Sequence, residues 1–274
     1  MNVSNFPAPH GVNVLLLFAA ALLLRGCGTV PVTGRKQVVL VSSSQMASLG
    51  ADTYSQKMAA SRLSGNAGQT AMVKRVGARV SQAVEQYLRE QGQSSAVRGF
   101  VWEFNLIEDP VVNAWCIPGG KVGINTGILP VCQNEAGLAV VMGHEIAHAV
   151  ANHGGERMSQ QLLAQMGGMG LAAALQQQPE QTQQLAMAVF GAGTQLGALY
   201  PYSRLHEFEA DRLGMVFMAM AGYDPNEAPQ FWERMQALKS GGAQPQFLST
   251  HPSDANRIRE LREAIPEAMR HYKP

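Results

Sequence analysis

Cysteine is scarce in this chain, with three in 274 residues, at Cys27, Cys116 and Cys132. Cys27 stands apart near the N-terminus, so the other two leave room for a single bridge and no disulfide framework. An excess of charge is lacking as well. Twenty-one Lys and Arg balance 20 Asp and Glu to a net +1, and the basic residues are scattered, which speaks against nucleic acid as a partner. No apolar run reaches the roughly 20 residues that cross a bilayer. Aromatic residues are sparse at 7 %, whereas Ala, Gly and Met are plentiful, a composition ordinary for one sizeable globular domain.

What the chain does have is Gly143-His144-Glu145-Ile146-Ala147-His148, set inside the apolar run 138–150. Residues four apart on a helix share a face, so His144 and His148 can point their imidazoles at one metal ion. Glu145 sits about a hundred degrees round the helix, placed to hold a water beside the metal without being a ligand. Asn134 followed by Glu135 is a helix start, and Gly154-Gly155 reads as its stop. Two histidines and a glutamate in so apolar a helix are costly to bury unless they share a task.

A catalytic zinc takes three protein ligands and keeps one position open. The place six residues beyond His148 is Gly154, so a third histidine at that spacing is excluded. His153 is one residue off and reads as a cap or a solvent-facing side chain. About sixty residues on, Glu207-Phe208-Glu209-Ala210-Asp211 puts Glu207 and Asp211 on one helix face. Glu207 can bind the metal while Asp211 accepts a hydrogen bond from a ligand imidazole and orients it. Glu209 points away from that face.

The rest of the chain reads as mainly helical with a little sheet. Helices are expected from Ser42 towards Ser61 and over 70–91, the second with Met72, Val73, Val76, Val80, Val84, Tyr87 and Leu88 at helical spacing. Residues 100–107 read as a strand. Residues 111–117 and 121–125 flank Pro118-Gly119-Gly120 and read as a small antiparallel hairpin beside the metal helix, an edge able to receive an extended peptide. Residues 156–200 are apolar and poor in charge, with a Gln-rich break at 176–184, and read as a packed or peripheral helical hairpin. Helices follow from Arg204, from Asp224-Pro225 and, capped by Ser253 or Asp254, over the last residues. Cys116 and Cys132 flank the site, and both a disulfide and two separate thiols remain open.

The N-terminus reads as a targeting segment. Residues 12–24 are an apolar run too short to span a bilayer, ending in Leu24-Arg25-Gly26-Cys27. That ending resembles a bacterial lipobox, which implies cleavage before Cys27 and a lipid on it. With Gly28 following, the resemblance favours the periplasm, with the chain anchored to the outer membrane. The division expected is a lipoprotein signal peptide over 1–26, a linker over 27–36 and one metallopeptidase domain over 37–274.

Taken together, His144-Glu145-Ile146-Ala147-His148, Glu207-Phe208-Glu209-Ala210-Asp211, His251-Pro252 and the segment Asn113-Ala114-Trp115-Cys116-Ile117-Pro118-Gly119-Gly120 resemble the HtpX-like and CAAX prenyl protease-like zinc metallopeptidases, most of all their periplasmic lipoprotein branch. The resemblance implies an α+β, mainly helical, zincin-like domain. It implies one Zn2+ held by His144, His148 and Glu207, with Glu145 as catalytic base. His251 is a candidate donor to the oxyanion; the resemblance offers it instead as a fourth zinc ligand that holds the enzyme latent. The implied substrates are misfolded or stalled envelope proteins, and outer-membrane assembly machinery is an implied partner. A chaperone or assembly factor with proteolysis secondary to binding is the competing expectation. Arg204 and Arg257 are candidates to pair with Asp211, Glu207 or Asp254.

Overall fold

The computed structural model describes residues 27–197, 203–242, 245–252 and 255–274. The expected signal segment and the expected caps Ser253 and Asp254 lie outside the described residues. The first described element is a two-stranded antiparallel ribbon, β1 (Cys27–Thr29) and β2 (Lys36–Val38), with Thr29 opposite Lys36. Residues 27–36, expected as a linker, are therefore structured. Val30 is buried in the core and pins the ribbon to the domain.

Helix α1 (Ser43–Ala60) begins at a capping box, in which Ser42 and Gln45 satisfy each other's backbone N–H groups. Helix α2 (Ala67–Glu90) starts where the Asn66 side chain accepts from the Gln69 N–H. Its Val73, Val76, Val80, Val84 and Leu88 recur at helical spacing, and all are buried. Strands β3 (Glu103–Ile107), β4 (Ala114–Ile117) and β5 (Lys121–Asn125) form one sheet in the order β3-β5-β4. The β4–β5 hairpin is antiparallel as expected, its turn made by Gly119 and Gly120 at φ 100° and 89°. Strand β3 lies parallel to β5, so the sheet is mixed, and β4 is left as an edge.

Helix α3 (Glu135–Val150) carries the histidine motif. The Asn134 side chain accepts from the Gly137 N–H, and nearly every residue from Gly137 to His148 is buried. A helix apolar on all sides has to lie at the centre, and α3 does. Gly154-Gly155 does not stop it. The helix ends at Val150, and Asn152 turns the chain at φ 56°, ψ 34°, a left-handed conformation that Asn tolerates. A new helix, α4 (His153–Ala174), then starts at once. A Cβ on Gly155 would lie 2.5 Å from Asn152 Oδ1, so that glycine admits the turn.

Helix α5 (Glu180–Gly197) folds back on α4, with Phe190 against Gly167 and Gly168. Leu162, Met166, Met169, Leu185 and Val189 remain exposed on this hairpin. Among the described residues, no helix is long and apolar enough to cross a membrane. Helix α6 (Arg204–Met220) ends before Gly222 at φ 82° and is followed by α7 (Glu227–Ser240), the short α8 (Gln246–Thr250) and α9 (Ala255–Met269). The sequence did not signal α8.

The site depends on how closely α3 and α6 approach. A Cβ on Gly143 would lie 2.7 Å from Gly214 O, and one on Gly214 would lie 2.8 Å from the Gly143 carbonyl carbon. The two backbones touch, and neither position has room for a methyl group. Gly214→Ala is therefore expected to destabilise the protein by about 1–3 kcal/mol through overpacking. Gly154→Ala, whose Cβ meets nothing nearer than Met46 Cε at 3.8 Å, should be neutral or stabilising. Chemical denaturation of both variants checks the contrast.

Candidate metal centre

Helix α3 presents His144 and His148 one turn apart, and the first turn of α6 presents Glu207. His251 joins them from the C-terminal end of α8. One donor atom from each of the four lies within 4.8 Å of the others. His144 Nε2 is 3.1 Å from His148 Nε2 and 3.1 Å from His251 Nδ1. Glu207 Oε1 is 3.3 Å from His148 Nε2 and 3.1 Å from His251 Nδ1. A tetrahedron with ligand bonds of about 2.0–2.1 Å has edges of about 3.3 Å, so these separations are those of a zinc donor set. All four side chains, and Glu145, are between 2 and 4 % exposed. Three imidazoles and a carboxylate converging in so dry a place fit one Zn2+.

The surroundings orient and neutralise these groups. Asp211 Oδ1 accepts from His144 Nδ1 at 2.8 Å, which turns the lone pair of Nε2 towards the cluster. Arg257 grips Asp211 through Nε and Nη2 at 2.7 and 2.8 Å, reaches Glu207 at 2.8 Å and lies over the Trp232 ring. Burial opposes ionisation of Glu207 and Asp211, but Arg257 and the neighbouring histidines outweigh it and hold both below the usual carboxylate range. Glu145 differs. Burial raises it, its Oε2 accepts from the Cys116 N–H of edge strand β4 at 3.2 Å, and its Oε1 lies 3.2 Å from His251 Nε2. A cavity of about 520 Å³, lined in part by Arg204, Leu205, Phe208, Glu207 and Arg257, borders the cluster at Glu207.

The structure thus brings together every site residue read from the sequence: His144, Glu145, His148, Glu207, Asp211 and His251. It also corrects one reading. His153 neither caps a helix end nor faces solvent: it is fully buried, with Nδ1 2.9 Å from His148 Nδ1 and Nε2 2.9 Å from Glu209 Oε2. Burial holds it neutral, lowered to about 4. Glu209 does point away from the metal face, but into a second buried cluster. There it accepts from Thr33 and from Arg35 Nε at 2.9 Å, while Arg35 also pairs with Glu156 and Glu156 with His206. His153 lies out of helical register with His148, and only the left-handed Asn152 brings it back; the sequence signal was that Asn beside paired glycines. Cys116 and Cys132 are separate thiols, both raised by burial.

A helix-borne pair of histidines, a glutamate from a second helix and an acid beside them define a zinc metallopeptidase site. The profile of Peptidase family M48 matches residues 74–265, and the chain belongs to that family. It is 39 % identical over 191 residues to the mitochondrial metalloendopeptidase OMA1 of Schizosaccharomyces pombe, covering 69 % of this chain and 53 % of that protein. The OMA1 protein of Saccharomyces cerevisiae is 34 % identical over 187 residues, covering 66 % of this chain and 52 % of its own length. A putative beta-barrel assembly-enhancing protease of Vibrio cholerae is 35 % identical over 179 residues, covering 62 % of this chain and 35 % of its own length. The chain spans about half or less of the length of these relatives. One expectation is overturned. The OMA1 relatives are mitochondrial proteins, which contradicts the periplasmic, outer-membrane-anchored location read from the N-terminus.

The second cluster has a consequence for acid stability. Burial opposes ionisation of Glu156 too, yet its bonds to His206 and Arg35 hold it at about 2, below the ordinary 4.5. A carboxylate lowered on folding stabilises fully above its unfolded value and loses that contribution as pH falls towards its folded one. The denaturant midpoint is expected to drop as pH is lowered from about 4.5 towards 2, and Glu156→Gln to flatten that dependence; an unchanged slope would refute the assignment.

Proposed function

We propose that the chain is a zinc-dependent endopeptidase that hydrolyses peptide bonds in unfolded or misfolded proteins and is held latent by His251. The observation that carries this reading is the four-donor cluster at tetrahedral spacing with Glu145 beside it. His144, His148 and Glu207 would hold the ion and Asp211 would orient His144. Bound there, zinc supplies a Lewis acid that lowers the pKa of water and polarises a peptide carbonyl. Glu145 is positioned as the base: its burial favours the proton-bearing form, so it can take a proton from the attacking water and return it to the leaving amine. The outer edge of β4, which pairs with no further strand among the described residues, lies next to Glu145 and suits an extended, unfolded segment that adds as a further strand.

His251 fills the fourth donor position, where a catalytic site keeps an opening. It also faces Glu145 Oε1, an oxygen that would otherwise be open to accept from the attacking water. Both contacts support a blocking ligand over an oxyanion donor, with substrate displacing it. The same closed arrangement favours a second reading, an assembly factor for β-barrel proteins in which binding is the main role and cleavage is suppressed; the name of the Vibrio relative points the same way. Residues 1–26 are proposed as a cleavable targeting segment, with the ribbon as part of the metallopeptidase domain.

Glu145→Gln is expected to lower cleavage of casein about 10²- to 10⁴-fold while leaving bound zinc unchanged. Cleavage that survives this substitution would sink the peptidase reading. His251→Ala is expected to raise cleavage of the same substrate; a fall would instead assign His251 to the transition state.

A further inference from the structure

Outside the donor cluster lies a row of polar groups, buried from Glu209 inward, that the reaction does not use. It runs from the N-terminal ribbon through Arg35, Glu209 and His153 to the far side of His148. Each link is a hydrogen bond of ordinary length: Arg35 Nε to Glu209 Oε2 at 2.9 Å, His153 Nε2 to Glu209 Oε2 at 2.9 Å, and His153 Nδ1 with His148 Nδ1 at 2.9 Å. Thr33 Oγ1 donates to the other oxygen of Glu209. His206 stacks on His153 with ring centres 4.4 Å apart and is itself held by Glu156, which Arg35 also pairs.

We propose that His153 and Glu209, closed from outside by Arg35 and Thr33, are positioning residues that set the tautomer of His148 for the metal. The argument is one of proton placement. A carboxylate only accepts, so Glu209 requires the proton of His153 on Nε2. With that proton placed, His153 Nδ1 is the acceptor 2.9 Å from His148 Nδ1, and the proton shared between them belongs to His148 Nδ1. His148 Nε2 is left with its lone pair towards His144, Glu207 and His251. The other ligand, His144, reaches the same state in one step through Asp211. Helix α6 therefore serves both histidines, one directly and one through an imidazole relay. The ribbon is a structural part of the metal centre.

This inference rests on the zinc reading, and its test separates the two. Ring nitrogen NMR of zinc-loaded wild-type protein should place the proton of His148 on Nδ1 and that of His153 on Nε2. A proton on His153 Nδ1 overturns the proposal without any variant having to fold. Zinc affinity, measured by competition with a chelator, should fall about 10- to 100-fold in His153→Ala, the usual scale for partners of a ligand histidine. His153→Gln keeps an acceptor for His148 and a donor for Glu209, and should recover most of that loss. Equal losses in both variants would reduce His153 to packing and overturn the relay. Wild-type protein that takes up no zinc would overturn the metal reading and the relay with it. Wild-type binding of one zinc with affinity unchanged in His153→Ala would remove the relay alone.

Discussion

Contact between the backbones of α3 and α6, at Gly143 and Gly214, is the constraint on which the rest depends. Glu207 has two methylene groups with which to reach the two imidazoles of α3, and it spans the gap because the helix backbones touch at that crossing. The two glycines are next to His144 on one helix and within one turn of Asp211 on the other. Packing at the crossing and coordination at the site are consequently the same geometric fact. The large apolar side chains around it, such as Trp232, Phe217 and Met142, hold the crossing closed.

Gathering so many ionisable groups in one core would be ruinous without internal neutralisation. The protein divides them into two groups on either side of α6. On one side, Arg257 faces Glu207 and Asp211; on the other, Arg35 faces Glu156 and Glu209. Each arginine bridges two carboxylates and each carboxylate touches a histidine, so most of the formal charge is matched within the protein. Glu145 stands outside both arginine pairings, which leaves burial free to raise it.

Most of the helices and the donors that α3 and α6 carry were legible in the sequence because they obey local rules. The spacing of His144 and His148, the cap at Asn134 and the shared face of Glu207 and Asp211 are all periodicities of a single helix. What was not legible depended on chain reversal or on distant pairing. The parallel docking of β3 on β5 joins segments with β4 between them, and no local pattern encodes it. Gly154-Gly155 looked like a stop because glycine usually breaks helices, whereas here Asn152 made the turn and His153 was carried inward. Arg35 sat in a stretch whose prolines and glycines resemble a linker, and only the buried Val30 shows why that stretch folds. The N-terminal motif invited an address that the relatives contradict, since a short motif says less about location than two-thirds of a chain.

The hairpin of α4 and α5 bears on how this protein meets oxidants. Its two cysteines within the domain are poor targets, because burial keeps both thiols protonated. Met166 and Met169, by contrast, are 51 and 66 % exposed. Conversion of their thioethers to sulfoxides would make part of an apolar, nearly uncharged stripe polar, while Met142, Met215 and Met235, sealed in the core, stay reduced. Peroxide would thus mark the outer surface of the hairpin and spare the interior.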